Sequence, residues 1–166
     1  MRDTVFMVLV CMVGLLSGCA LDGHTDVLMP ELEVENVIRI ELEREGQLDV
    51  FELGVDGSWY FSGMEMVDSM LVNKWLAGIS ELKCSGTACD ASEPLLRVGT
   101  LRISQKFRAT PLTLEFRRHD RPEAETICVS VPEKSVDLEC VGHGFERVMF
   151  EDFDSILQSA QSNLDR

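Results

Sequence analysis

Positive charge is scarce in this sequence. Its 166 residues include 15 lysines and arginines against 29 aspartates and glutamates, which gives a formal net charge of −14. A body this acidic repels the phosphate backbone of nucleic acids. We therefore expect no nucleic-acid partner.

Signatures of catalysis are also scarce. Of the three histidines, His24, His119 and His143, none stands beside a serine or cysteine in a nucleophile motif. The Gly-x-Ser-x-Gly, His-Glu-x-x-His and phosphate-binding glycine patterns do not occur. We predict that the protein is not an enzyme and has no catalytic residues, cofactor or metal. A hydrolase with an unrecognised site is the third interpretation, after two binding roles given below.

Long apolar runs are limited to the start of the chain. Residues 5–16 are apolar, follow Arg2 and precede the small pair Ser17-Gly18. A run of about a dozen residues suits a secretory signal and is too short to cross a bilayer core of about 30 Å. We therefore predict that residues 1–18 are a signal peptide.

One cysteine directly follows this run, in Leu15-Leu16-Ser17-Gly18-Cys19. The stretch resembles the lipobox of bacterial lipoproteins. The resemblance implies a diacylglyceryl group on the Cys19 sulfur, cleavage before Cys19 and acylation of the new amine. Several acyl chains together anchor a protein stably. Ala20, which is not Asp, implies sorting to the inner leaflet of the outer membrane, facing the periplasm.

The rest of the chain divides by composition. Residues 19–35 are acidic, interrupted by Gly23 and Pro30, and are predicted to be a tether after the lipidated cysteine. Residues 36–160 carry regular apolar patterns and are predicted to form a single globular domain. Residues 161–166 are predicted to be a frayed tail.

The apolar patterns predict an α+β fold with a mostly antiparallel β-sheet. Alternation at Ile38, Ile40 and Leu42 is typical of a strand, and further alternating segments follow up to residue 140. Apolar residues at three- and four-residue steps over 67–82, including Trp75, predict a central amphipathic helix. A second helix is predicted to start at Asp152 or Asp154, and residues 145–150 to add a short strand.

The hairpin, Trp-bearing strand and helix over residues 36–116 also resemble an uncharacterised family, domain of unknown function 4340. The segments that carry the resemblance are 37–53, Ser58-Trp59-Tyr60-Phe61 and 67–82. The chain differs from that family in having one unit and in its cysteines. The resemblance implies an envelope protein with no established reaction.

Four cysteines follow Cys19, and an exported protein can form disulfides. Four cysteines allow three pairings. A tight turn brings Cys84 close to Cys89, and a hairpin closed about Lys134 places Cys128 opposite Cys140. We predict the disulfides Cys84–Cys89 and Cys128–Cys140, in preference to a metal site or a redox pair.

Two other features are candidates for binding. Basic residues at Arg102, Lys106, Arg108 and Arg117 are predicted to align on the sheet face away from the core, either as an interaction stripe or paired with acids across the sheet. Met64, Met66 and Met70 offer sulfur ligands for Cu(I), although methionine more often fills a core.

Together these features predict a lipid-anchored lipoprotein of the bacterial cell envelope. Its expected role is that of a non-enzymatic interaction or structural module, held to the membrane through Cys19 and contacting an envelope protein partner. The alternative is a ligand- or metal-binding envelope lipoprotein.

Overall fold

The structure is a computed structural model of the chain. It describes residues 25–63, 65–85, 88–89, 94–119, 126–132, 136–141, 145 and 147–164. The predicted signal peptide, Cys19, His24, Met64 and His143 lie outside these residues.

One eight-stranded antiparallel sheet forms the body of the protein. Its strands are β2 to β5 and β7 to β10, in the spatial order β10-β9-β8-β7-β2-β3-β4-β5. A separate two-stranded ribbon pairs β1 with β6. The strands are β1 Thr25–Val27, β2 Val37–Arg44, β3 Gln47–Leu53, β4 Trp59–Phe61, β5 Glu65–Val67, β6 Lys83–Ser85, β7 Leu95–Gln105, β8 Leu112–His119, β9 Thr126–Val131 and β10 Val136–Val141.

Alternation along the strands separates a buried face of the sheet from an open face. Ile40 and Leu42 of β2 are buried, whereas Arg39 and Glu41 between and beside them lie on the open face. Successive residues of a strand point to opposite faces, so the strand period read from the sequence is confirmed. The open face is lined with ion pairs, including Arg39 with Glu41 and with Glu52.

Two helices cover the buried face. Helix α1 spans Ser69–Ser80, and Asp68 caps it because its Oδ1 accepts a hydrogen bond from the Met70 N–H at 2.8 Å. Helix α2 spans Asp152–Leu164. The single α+β domain with a central and a C-terminal helix is therefore confirmed.

A chain of aromatic rings joins the helices to the sheet. The ring centroids of Trp75 in α1 and Phe153 in α2 lie 5.2 Å apart. The Phe153 ring contacts the ring of Phe51 in β3 edge-on, with the centroids 5.2 Å apart. The Trp75 indole N–H also donates a hydrogen bond to the Val148 carbonyl oxygen at 2.6 Å. These contacts fix the position of both helices on the sheet.

The prediction of a tether over residues 19–35 is wrong for its described part. Leu28, Met29 and Leu32 are buried, and the Leu28 N–H donates to the Leu82 carbonyl oxygen at 2.9 Å. The Gln105 side chain accepts a hydrogen bond from the Glu33 N–H at 2.8 Å. Glu31, Glu33 and Glu35 are exposed while Leu28, Met29 and Leu32 fill the core, so Thr25 already belongs to the fold.

Two predictions near the C-terminus also need correction. Residues 147–151 form a π-helical turn, Arg147–Glu151, where a short strand was expected. Helix α2 continues to Leu164, so the predicted frayed tail is helical over 161–164, and residues 165–166 lie outside the described part. The π turn buries Val148 and Met149 against the domain, which a strand period could not do.

The turn between β3 and β4 contains a hydrogen bond whose strength depends on pH. The Tyr60 hydroxyl donates to Asp56 Oδ2 at 2.8 Å, and the Ser58 N–H donates to Asp56 Oδ1 at 3.1 Å. The hydrogen bond to Asp56 raises the pKa of Tyr60 above its ordinary value. The bonds from Tyr60 and Ser58 lower the pKa of Asp56.

Titration of the only tyrosine should report this contact directly. Tyrosinate absorbance should show Tyr60 ionising above its usual pKa of about 10, and Asp56→Asn should move the pKa back down. Because the folded-state pKa is raised, the stabilisation is present below pH ~10 and is lost as the pH rises through the folded-state value. A control Asp137→Asn variant should titrate like the wild type. An unchanged Tyr60 titration in Asp56→Asn would contradict the assignment.

Candidate functional site

A cleft of about 530 Å³ opens on the buried face of the sheet, where the helices leave the end of the strands uncovered. Its floor is formed by the adjacent ends of β3, β2, β7, β8 and β9, and its other wall by the π turn and the first turn of α2. The lining residues are Arg44, Glu45, Gln47, Asp49, Val98, Arg118, Ile127, Phe150 and Asp154. This volume lies in the range of small-molecule sites, and the lining is more polar than is usual for them.

A β-bulge directs Val98 into the cleft. The register of β7 against β8 shifts between Arg97 and Gly99. A Cβ atom at Gly99 would overlap the Glu43 carbonyl oxygen of the neighbouring strand, so only glycine fits this close approach. The bulge therefore supplies an apolar patch beside charged strand ends.

Arg44 is held rigidly in one wall of the cleft. Its guanidinium lies 2.8 Å from Asp154 Oδ1 and 3.7 Å from Asp49 Oδ2. It also lies over the rings of Phe150 and Phe153, at 6.0 Å and 5.2 Å from their centroids. Arg44 thus links β2 to α2 and is already committed to protein partners.

Asp49 is a buried carboxylate, with an exposed fraction of 2%. Besides Arg44, its partner is Gln47, whose Nε2 donates to Asp49 Oδ1 at 2.9 Å. Asp49 was not predicted to be functional. The signal was present, because Asp49 shares the inward phase of Phe51 and Leu53, where a charged residue requires a specific partner.

Two charged residues of the cleft make no ion pair with a described residue. Glu45 and Arg118 are both exposed, and neither makes an ion pair with any described residue. Glu45 lies in the turn after β2, and Arg118 lies near the end of β8, next to the buried Ile127 of β9. Glu45 and Arg118, an acid and a base without ion-pair partners among the described residues, thus lie on opposite sides of the apolar floor.

The four basic residues predicted to form an interaction stripe do not share one surface. Arg102 and Arg117 lie on the open face, 3.8 Å from Glu41 and 2.9 Å from Glu115. Lys106 and Arg108 lie in the turn beyond the end of β7, and Arg108 pairs with Glu31 at 3.0 Å. Arg102 therefore follows the alternative expectation of pairing with an acid across the sheet, whereas Arg117 pairs with an acid of its own strand and Arg108 with a residue of the segment before β2.

All four cysteines of the body form disulfides, but with pairings different from those expected. The bonds are Cys84–Cys140, with Cα atoms 4.5 Å apart, and Cys89–Cys128, with Cα atoms 6.0 Å apart. Both predicted pairs, Cys84–Cys89 and Cys128–Cys140, are wrong. Since each cysteine has a disulfide partner, neither a thiolate metal site nor a free redox thiol pair is formed by them.

The error in the hairpin is a register shift of one residue. Cys128 lies opposite Glu139, and Cys140 lies opposite Ile127, so the two cysteines point to opposite faces of the sheet. Cys140 joins the buried core beside Cys84 of β6. After β6 the chain follows the free edge of β10, where the Cys89 N–H donates to the Asp137 carbonyl oxygen at 3.3 Å.

The remaining sequence candidates are not brought together. Met66 and Met70 are exposed, Met64 is outside the described residues, and of the histidines only His119 falls within a described strand. Within the described part of the chain, no three His, Cys, Asp or Glu side chains are grouped as a metal site would need.

Comparison with known proteins found no match. No family model matches the chain, and neither a curated protein nor a solved structure matches it. The resemblance to the uncharacterised family therefore stays a prediction. Among the described residues, no helix is both long and apolar enough to cross a membrane.

Proposed function

We propose that this protein is a lipid-anchored lipoprotein of the bacterial cell envelope whose body acts by non-covalent binding, without catalysis. Residues 1–18 serve as the signal, Cys19 carries the lipid, and the body faces the periplasm from the inner leaflet of the outer membrane. The observation that carries this proposal is the pair of disulfides in a body that follows a lipobox. An envelope protein partner remains part of it, though the basic residues are no longer its main support.

The disulfides support export because three of the four bonded cysteines are buried in the fold. Cys84 and Cys140 are 1% and 2% exposed and lie in the core, and Cys128 is 2% exposed. Disulfides persist in oxidising compartments and are rare in the reducing cytosol. A chain that places four of its cysteines in such bonds is suited to the periplasm.

Two of the three carboxylates that line the cleft support binding over catalysis. Its buried carboxylate, Asp49, is held by Gln47 and Arg44, and Asp154 is held by Arg44. A general acid or base has to be able to exchange its proton with a substrate. Groups fixed in ion pairs instead shape a surface and hold it rigid, which suits recognition.

The position of the first strand limits how far the body stands from the membrane. Thr25 already belongs to the fold, six residues after Cys19. An extended chain spans about 3.5 Å per residue, so these residues reach roughly 20 Å at most. In our proposal the body therefore works close to the membrane surface.

Replacement of the lipidated residue tests the proposal. Cys19→Ser should abolish incorporation of a labelled fatty acid and release the protein from sedimented membranes into the soluble fraction, because the sulfur that accepts the lipid is gone. The matched control is Cys11→Ser, which changes a cysteine of the predicted signal and should leave labelling and sedimentation unchanged.

Two measurements separate the parts of the proposal. Labelling that persists in Cys19→Ser would show that Cys19 is not the lipid attachment site. If wild-type protein carries no lipid and its four body cysteines react with an alkylating reagent in intact cells, the envelope assignment fails as a whole.

A further inference from the structure

We infer that the cleft binds a short zwitterionic peptide, with the peptide carboxylate at Arg118, its ammonium group at Glu45 and an apolar side chain over Val98, Ile127 and Phe150. The inference rests on the binding role proposed above and adds the chemistry of the ligand. No part of it depends on the lipid anchor.

The charges define a ligand with two opposite ends. The β2–β3 side of the cleft is net negative, because it carries one arginine, Arg44, and three carboxylates, Glu45, Asp49 and Asp154. On the β8–β9 side, Arg118 is the charged lining residue among those that the structure describes. A ligand that carries only an anion or only a cation would satisfy one side and lose its water against the other.

The spacing matches a peptide of about three residues. Glu45 follows β2 and Arg118 lies on β8, with β7 between them. Neighbouring strands lie about 4.8 Å apart, which places the two backbones about 10 Å apart. An extended chain covers this distance with about three residues. Neither Glu45 nor Arg118 makes an ion pair with a described residue, so both side chains are available to a ligand.

The middle of the cleft suits an apolar group. Val98 and Phe150 are half-buried and Ile127 is buried, and together they form the patch between the charged sides. Arg44 does not compete for the ligand carboxylate, because Asp49 and Asp154 already hold its guanidinium. The anion is therefore directed to Arg118.

The backbone places Glu45 in a tight turn at the rim of the cleft. Glu45 has φ +49° and is followed by Gly46 at φ +81°. Two successive residues with positive φ form this turn between β2 and β3, a position where Asn or Gly is favoured. Ser62 and Gly63 have the same conformation in the turn between β4 and β5, so the conformation belongs to the hairpin turns of this sheet.

Titration calorimetry on the purified protein in detergent tests the inference with three probes. They are the tripeptide Ala-Leu-Ala, its N-acetyl derivative and its C-terminal amide. We expect the free tripeptide to bind at least tenfold more tightly than either derivative, because each derivative removes one charge-assisted hydrogen bond.

Variants assign each end of the peptide. Arg118→Gln should weaken the free tripeptide at least tenfold and leave the affinity for the C-terminal amide unchanged. Glu45→Asn should weaken the free tripeptide and leave the affinity for the N-acetyl derivative unchanged, while the turn itself becomes at least as stable, since Asn-Gly suits positive φ. The exposed residues Arg147 and Glu81, changed to Gln, are the matched controls and should bind like the wild type.

Three outcomes would overturn the inference: no heat of binding from any probe at millimolar concentration, equal affinity for all three probes, or derivative affinities that fall in the variants as much as that of the free tripeptide. A wild-type protein that instead binds a non-peptide molecule, identified by native mass spectrometry, would refute the peptide while leaving the proposed binding role intact.

Discussion

A Cys84→Ala/Cys140→Ala variant should have a free energy of unfolding about 3 kcal/mol lower than that of the wild type. The bond closes a loop with a sequence separation of 56 residues, which the nested Cys89–Cys128 bond shortens to about 17 residues of free chain, and in the chain-entropy model such a loop restricts the unfolded chain by about that amount. For a domain of this size the melting temperature should fall by roughly 10 °C. Chemical denaturation followed by tryptophan fluorescence measures the change.

The second disulfide supplies the comparison. Cys89→Ala/Cys128→Ala removes a bond with a sequence separation of 39, nested inside the first, and should cost a similar amount when removed alone. Mass spectrometry of a non-reduced digest should recover the peptides of Cys84 and Cys140 joined together. A peptide pair joining Cys128 to Cys140 would instead favour the pairing first expected from the sequence.

Trp75→Ala should destabilise the domain by about 3–5 kcal/mol, the usual cost of deleting a large buried aromatic side chain. The indole is 3% exposed, lies against Phe153 and donates its N–H to the Val148 carbonyl oxygen. Its removal leaves a cavity between α1 and α2 and an unsatisfied carbonyl group in the π turn. Urea denaturation followed by circular dichroism measures the loss.

Two further substitutions separate packing from hydrogen bonding. Trp75→Phe keeps an aromatic ring but loses the donor, so it should cost less than Trp75→Ala and still more than a surface change. Met70→Ala, on the same helix at 72% exposure, should change stability by less than about 0.5 kcal/mol. A Trp75→Ala loss as small as that of Met70→Ala would mean that the two helices do not pack through this residue.

Much of the secondary structure followed from local patterns. The alternation at Ile40 and Leu42 and the three- and four-residue spacing around Trp75 gave the correct element types. These patterns were readable because each element buries one face on the same side. The element between residues 145 and 150 was misread, since a π turn has no distinct sequence period.

The site was harder to predict than the fold. Asp49 and Arg44 are 5 residues apart in sequence and carry no motif, and Asp154 joins them only because α2 returns across the sheet. The apolar residues of the 25–35 segment were hidden among acidic ones, which made buried chain resemble a tether. In both cases a contact that holds the residue comes from a segment distant in sequence: Asp154 pairs with Arg44, and the Leu82 carbonyl oxygen accepts a hydrogen bond from Leu28.

The sequence by itself determined the acidic charge, the number of cysteines, the predicted signal and lipobox, and which faces of the strands and of α1 are apolar. Only the tertiary structure decided the pairing of the cysteines, the position of residues 25–35 and the existence of the cleft. The reason is physical. Apolar periodicity is local, whereas a shift of one residue in strand register moves every side chain to the other face of the sheet. Cys128 lies opposite Glu139, one residue away from Cys140, so this shift decides that the two cysteines do not face each other.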